Sequence, residues 1–367
     1  MMNLASLHRR LQPGIDEAIH NVIEQSCFIR GKYVSQFESE LAQYLGCKSV
    51  IGCGNGTDAL YLALRALNLS AGDEVITTTM SFVAAAEVIA ELGLRPVFAD
   101  VTADTYNTDI ENIERAFTPR VKAIVVTHLF GRPCNMQAIM DFARSKNLPV
   151  VEDAAQCMGG AAIVDGREQK LGTIGTVGCT SFFPSKNLGC MGDGGAVITN
   201  DDTVAQQVRM LANHGSYIKY KHEAFGVNSR LDGIQAAVLS VKLRHLDDCN
   251  LRRRQAAQRY TGKLAACANV VPPADCQGHV YHQYTIRITN GRRDALKDFL
   301  LANGVKTMIY YTLMLHLQPA YSQFANGKLP VAESLQNEVI SLPIDSEITD
   351  NEIDTICNLI REWDRQN

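Results

Sequence analysis

The chain has 367 residues, of which 46% are hydrophobic and 20% charged, and its formal net charge is −4. That length exceeds what one hydrophobic core usually fills, so two domains are expected. The composition is that of a globular protein, and the slightly acidic balance gives no basic footprint for nucleic acid.

In chain order, Ser49–Gly52 reads as a strand and Asp58–Leu67 as a helix. Glu74–Thr78 is a strand and Phe82–Leu92 a helix. Arg95–Ala99, Val121–Thr127 and Pro149–Glu152 are further strands, separated by helices at Ile110–Phe117 and Met136–Lys146. Gly195–Thr199 is one more strand. Short, nearly continuous apolar strands alternating with helices predict an α/β domain: a mostly parallel central sheet with helices on both faces. From about Leu231 to Leu264 the pattern is helical, as one or two long helices. A strand (His282–Ile288), a helix (Arg293–Asn303) and a C-terminal helix (Asp350–Arg365) follow, which suits a smaller C-terminal α+β domain. The expected domains are 1–245, the larger, and 246–367, with the boundary inside a helix and the N-terminal segment free to pack on the smaller one.

Eleven cysteines are scattered without a C-x-x-C pair, which suits reduced thiols better than a disulfide framework. His279-Val-Tyr-His282 is the nearest approach to a metal pair, but it lacks further ligands, so a structural or substrate-side role is expected and no metal. The N-terminus has no leader pattern and no apolar run reaches membrane-spanning length, so the expectation is a cytoplasmic protein without membrane contact.

Lys186 carries the most information. It lies in the apolar, glycine-rich run Ser181–Ala196, where a solvated cation has no obvious place. Upstream, Glu152-Asp153-Ala-Ala-Gln156 ends a predicted central strand, where ligands bind in open α/β sheets. A lysine able to form a Schiff base, with an acid able to hold a pyridinium nitrogen, is the minimum equipment for pyridoxal 5′-phosphate (PLP) chemistry. Asp153 is the better candidate for the acid than Glu152, because neighbouring strand residues point to opposite faces; helix capping is its bland alternative. Gly54-Asn-Gly56-Thr57-Asp58 joins a strand to a helix, a good place for a phosphate. The same segment fits a dinucleotide loop, so an NAD-dependent oxidoreductase competes at this point. Asn228-Ser229-Arg230 opens a helix and suits a second anion, or is simply a cap. Tyr217, Lys219, Tyr220 and His222, then Tyr310, Tyr311 and His316, form an aromatic and basic set fit for a nucleotide diphosphate.

Together these blocks resemble the DegT/DnrJ/EryC1/StrS sugar aminotransferases, fold type I PLP enzymes, over nearly the whole chain. The resemblance rests on Gly54–Leu60, Thr78–Ala85, Glu152–Gln156, Ser181–Ala196, Asn228–Ala237, Tyr310-Tyr311 and His316. It implies that Lys186 is the Schiff-base lysine and Asp153 the pyridinium partner. Gln156 then bonds near the ring hydroxyl, Gly56, Thr57 and Ser181 hold the phosphate, and Phe82 stacks on the ring. Asn228 implies a homodimer with shared sites, since in this family that residue reaches the neighbouring subunit's cofactor. The implied reaction moves an amino group from L-glutamate, released as 2-oxoglutarate, to a UDP- or dTDP-linked keto-sugar, with pyridoxamine phosphate as the intermediate cofactor form. The product is an amino sugar for a polysaccharide or a glycosylated metabolite. Lys186 argues against the branch that dehydrates, which carries histidine there. Lys219-Tyr220, His222 and Ser229 resemble members that aminate C3, with C4 amination or a cyclitol ketone as alternatives. Tyr217, Lys219, Tyr220, His222, Arg230, Tyr311 and His316 are the expected substrate residues. The chain departs from the family's Tyr-Tyr-Pro-x-Pro-Leu-His pattern: Tyr310-Tyr-Thr-Leu-Met-Leu-His316 lacks both prolines, which loosens that loop.

Overall fold

A computed structural model describes residues 3–325 and 327–366. Helices α1 (Leu4–Glu24) and α2 (Lys32–Leu45) precede β1 (Ser49–Cys53). Then follow α3 (Gly56–Ala66), β2 (Glu74–Thr78), α4 (Ala84–Glu91), β3 (Arg95–Ala99), α5 (Ile110–Ala116), β4 (Val121–Thr127), α6 (Met136–Lys146) and β5 (Val150–Asp153). A hairpin of β6 (Ala161–Val164) and β7 (Arg167–Lys170) leads to β8 (Val177–Ser181), β9 (Gly195–Thr199) and α7 (Asp202–Leu211). A second small hairpin, β10 (Ser216–Ile218) and β11 (Lys221–His222), precedes α8 (Gly233–Leu243) and α9 (Leu246–Leu264). The remainder is β12 (Val270–Val271), β13 (Tyr284–Ile288), α10 (Arg293–Ala302), α11 (Pro330–Glu338), β14 (Val339–Leu342) and α12 (Asp350–Gln366).

Seven strands form the central sheet in the order β1-β9-β8-β5-β4-β2-β3. The pairs from β8 through β5, β4 and β2 to β3 are parallel, and β9 runs antiparallel to both neighbours. Alternate residues of each strand feed opposite faces. Val75, Ala123, Val125 and Val151 pack under α3, α4 and α7, whereas Ile76, Ile124, Val126 and Val150 pack under α5 and α6. Val50 and Ile198 face α2 and α8. A sheet covered on both faces explains why its strands read as continuous apolar runs.

Residues 233–264 form two helices that part at Arg244–His245, so position 245 lies between helices rather than inside one. Beyond it, β12-β13-β14 form an antiparallel sheet under α9, α10 and α12, with their own buried cluster from Ala256 to Trp363. Helix α1 packs on α8 through Leu11, Ile15 and Val238. It also reaches the C-terminal part, where Arg10 pairs with Glu347 at 2.9 Å and the Asn3 amide donates to Asp345. No helix of the described residues is long and apolar enough to cross a membrane.

Candidate active site

Adjacent strands β5 and β8 end side by side and deliver the two charged groups. Asp153 closes β5, in register with Cys179 of β8, and the chain leaving β8 carries Lys186. The lysine loop folds back on itself: the Lys186 amide donates to the Phe183 carbonyl and the Cys190 amide to Phe182, each at 2.8 Å. Gly189 allows this, because a Cβ there would lie 2.5 Å from the Pro184 carbonyl oxygen. Lys186 and Asp153 both line a cavity of about 820 Å³, together with Gly56, Thr57, Phe82, Gln156, Ser181 and Tyr311.

Electrostatics follow from burial. Poor solvation lowers the Lys186 pKa, with Asp153 opposing that shift. Burial raises the Asp153 pKa, against the Ala155 N–H (3.1 Å) and the charge of Lys186. Each group therefore leans toward its neutral form, and Asp153 is poised for a cation placed beside it.

Glu152 points the other way. Its carboxylate accepts from the amides of Gly172 (2.9 Å), Ile174 (2.7 Å) and Gly175 (2.6 Å), and meets His128 Nε2 at 3.0 Å. The Cys134 amide donates to His128 Nδ1, so it is Nε2–H that donates to Glu152. This neighbour of Asp153 braces the strand end.

The start of α3 forms the opposite wall. Asn55 caps the helix, its side chain accepting from the Asp58 amide at 2.8 Å. The Gly56 and Thr57 amides have no partners among the described residues. A Cβ on Gly56 would sit 2.7 Å from Ser181 Cβ, so only glycine lets the turn press against that serine. Two free amides at a helix N-terminus, with the Thr57 and Ser181 hydroxyls, suit a phosphate. Phe82 is 56% exposed and presents a free ring face at the rim. Gln156 accepts from the Phe130 amide at 2.7 Å and turns Nε2 toward the Tyr311 hydroxyl at 3.5 Å. These residues fit PLP: an anion cradle, an acid for the ring nitrogen, a stacking face and a buried amine share one cavity.

The other predicted residues lie elsewhere in this chain. Tyr217, Lys219, Tyr220 and His222 stand exposed on or beside the β10–β11 hairpin. Asn228 pairs with Asn213 in an isolated bridge. Arg230 lines a separate pocket of about 180 Å³ with Arg30 and Arg209. Ser229 is wired to the phosphate loop, accepting from the Gly54 amide (2.9 Å) and donating to Asp58 (2.6 Å). His316 is buried between Thr79 (2.7 Å) and Glu333 (3.3 Å), off the cavity. Several cavity residues were not assigned to the site from sequence, among them Asp58, inside the glycine motif, and His282, whose signal was the His-x-x-His spacing.

Comparison with known proteins adds to this geometry. The family model described as the DegT/DnrJ/EryC1/StrS aminotransferase family matches residues 10–361. A Geobacillus stearothermophilus protein named pleiotropic regulatory protein is 43% identical over 100% of this chain and 98% of its own length. A UDP-N-acetyl-3-dehydro-alpha-D-glucosamine 3-aminotransferase of Acidithiobacillus ferrooxidans is 42% identical, covering 98% of this chain and 96% of that protein. Among solved structures, the DesV protein of S. venezuelae in complex with a ketimine intermediate superposes with a TM-score of 0.94 at 38% identity, over 99% of this chain and 97% of that one.

Proposed function

This chain belongs to the DegT/DnrJ/EryC1/StrS aminotransferase family, and from that membership we propose that it moves an amino group from L-glutamate to C3 of a UDP- or dTDP-linked 3-keto sugar. The observation that carries the reading is Lys186 facing Asp153 in one cavity, with a phosphate cradle at the start of α3. The A. ferrooxidans relative, named for a 3-amination, supports the position of transfer.

Aminotransferases of this family depend on PLP. When bound, the cofactor supplies the electron sink and carries the amino group between donor and acceptor. The protein's share follows from its own groups. Gly56, Thr57 and Ser181 bind the phosphate. Asp153 holds the ring nitrogen protonated, because a buried carboxylate favours a cationic neighbour. Phe82 covers a ring face and Gln156 lies beside Tyr311. Lys186, kept toward the neutral amine by burial, takes and returns a proton at Nζ.

The same proposal includes a homodimer, a cytoplasmic location and a division into residues 1–245 and 246–367. Asn228, Tyr217, Lys219, Tyr220, His222 and Arg230 lie off their own cavity, so a role at a site requires a second subunit. The β10–β11 region exposes Ile218, Tyr220 and Phe225, at 65%, 85% and 93%, which suits burial against another copy. His316 keeps its proposed substrate role only indirectly, through the Thr79 and Tyr311 segments it joins.

The test is direct. Purified protein with PLP should absorb in the visible and bleach with borohydride, and Lys186→Ala should abolish both that signal and turnover. With glutamate and a UDP- or dTDP-linked 3-keto sugar, 2-oxoglutarate and a 3-amino sugar should appear together. Normal turnover by Lys186→Ala would sink the assignment, and product aminated only at C4 would overturn the position.

A further inference from the structure

His282 lies at the cavity without a role in the reaction proposed above, and its protonation can be traced outward through hydrogen bonds. Asn250 Nδ2 donates to the Met158 carbonyl at 3.0 Å, an oxygen that can only accept, so Asn250 Oδ1 faces Asn187. Asn187 Nδ2 donates to that oxygen at 2.7 Å and to the Val280 carbonyl at 3.2 Å. Asn187 Oδ1 is therefore the acceptor, and His282 Nδ1, 3.1 Å away, carries a hydrogen. Two backbone carbonyls thus set the polarity of the whole chain of bonds. A second proton on the ring is opposed by burial and by the neighbouring charges of Lys186 and Arg253, which hold the His282 pKa well below its usual value. Nε2 keeps its lone pair. It has no hydrogen-bond partner among the described residues and is not one of the sealed polar atoms, so it opens onto the cavity.

Lys186 has the complementary gap. Its amine has no hydrogen-bond partner among the described residues, and the other groups acting on it are Asp153 and Cys157. A donor without an acceptor and an acceptor without a donor line the same cavity. We propose that His282 is a positioning residue for Lys186: the free amine, unpaired in this structure, can turn to give one of its N–H groups to His282 Nε2, which keeps it beside the reacting centre. This rests on Lys186 being the cofactor lysine.

The experiment follows Lys186 itself rather than turnover. The full chain, with and without PLP, is labelled with trace acetic anhydride across roughly pH 6–10, and acetylation of the Lys186 peptide is read by mass spectrometry. His282→Asn keeps an amide donor toward Asn187 but has no acceptor at the Nε2 position. Losing an acceptor that favours the ammonium should lower the labelling midpoint by about one pH unit. His282→Gln restores an oxygen near Nε2 and should return the midpoint to within about 0.3 unit of wild type. A wild-type midpoint in His282→Asn, or equal shifts in both variants, overturns the proposal. So does histidine 15N NMR of the wild-type chain showing His282 with its proton on Nε2, a measurement that needs no variant to fold. PLP should protect Lys186 from acetylation; failure to protect overturns the cofactor assignment and is distinguishable from an unshifted midpoint.

Discussion

Asp153 and Glu152 are adjacent carboxylates on one strand, and their surroundings divide their work. Asp153 receives one backbone N–H and a long contact from Thr127 (3.4 Å), which leaves it short of partners until a cation arrives. Asp153→Asn keeps the shape and removes the charge. It should cost about 3 kcal/mol of transition-state stabilisation, or roughly a hundredfold in kcat/KM, while PLP still binds. Steady-state kinetics beside cofactor absorbance would check this, and undiminished kcat/KM would exclude Asp153 as the ring partner. Glu152 is saturated by three amides and His128. Glu152→Gln places an NH2 among donors, so the expected loss is folding stability, about 3 kcal/mol, seen as a melting point lower by roughly 3–6 °C. That Asp153 and not Glu152 faces the cavity follows from strand alternation, which is why the sequence alone could separate them. His282 was harder to read. Its spacing from His279 resembles a metal pair, yet the two rings part: His279 stacks on Tyr281 with centroids 3.7 Å apart, while His282 turns to the cavity.

Among the elements, α8 reaches the lysine loop from below. Lys242 is buried and donates to the Gly189 carbonyl (2.6 Å) and to His8 Nε2 of α1 (3.1 Å), so one amine ties two helices to the loop. Burial lowers its pKa from 10.5 to about 8, without a carboxylate to offset it. The sign of the linkage is fixed by that direction. Between about pH 8 and 10.5 the unfolded chain holds the proton more than the folded one, so this group adds stability as pH rises. Relative to Lys242→Met, wild type should gain up to about 3 kcal/mol from pH 7.5 to pH 10. Chemical denaturation at several pH values measures it, and a pH-independent difference between the two proteins would refute it. Six of the seven strands of the central sheet were legible because they are largely buried and read as apolar runs. Direction is not: nothing in Gly195–Thr199 marks β9 as antiparallel, since pairing sense is decided by the long loop that carries Lys186. β8 was not legible as a strand, because its Gly178 and Thr180 dilute the apolar signal. Helices α1 and α2 were not assigned either. Their buried stripes are narrow, Leu11, Ile15 and Val22 in α1, and Pro13 interrupts the first.

At the scale of the whole molecule, the residues proposed for the site do not all meet in one chain's cavity. Lys186 and Asp153 line it, but Asn228 does not: it is bridged to Asn213, and the next residue, Ser229, bonds Gly54 and Asp58. The proposed homodimer with shared sites makes a specific prediction. Lys186→Ala and Asn228→Ala should each impair their own homodimers, because every site then carries one defect. After denaturation and refolding of an equal mixture, half of the dimers are mixed. In each of these, one site carries both substitutions and the other carries neither. Activity should therefore rise to about one quarter of wild type, the fraction of intact sites expected for a two-fold assembly. Activity no higher than the average of the two parents would place Asn228 and Lys186 in the same subunit's site. Equilibrium sedimentation of the wild-type chain supplies the independent check, since a monomer at assay concentration leaves no partner for Asn228 to serve.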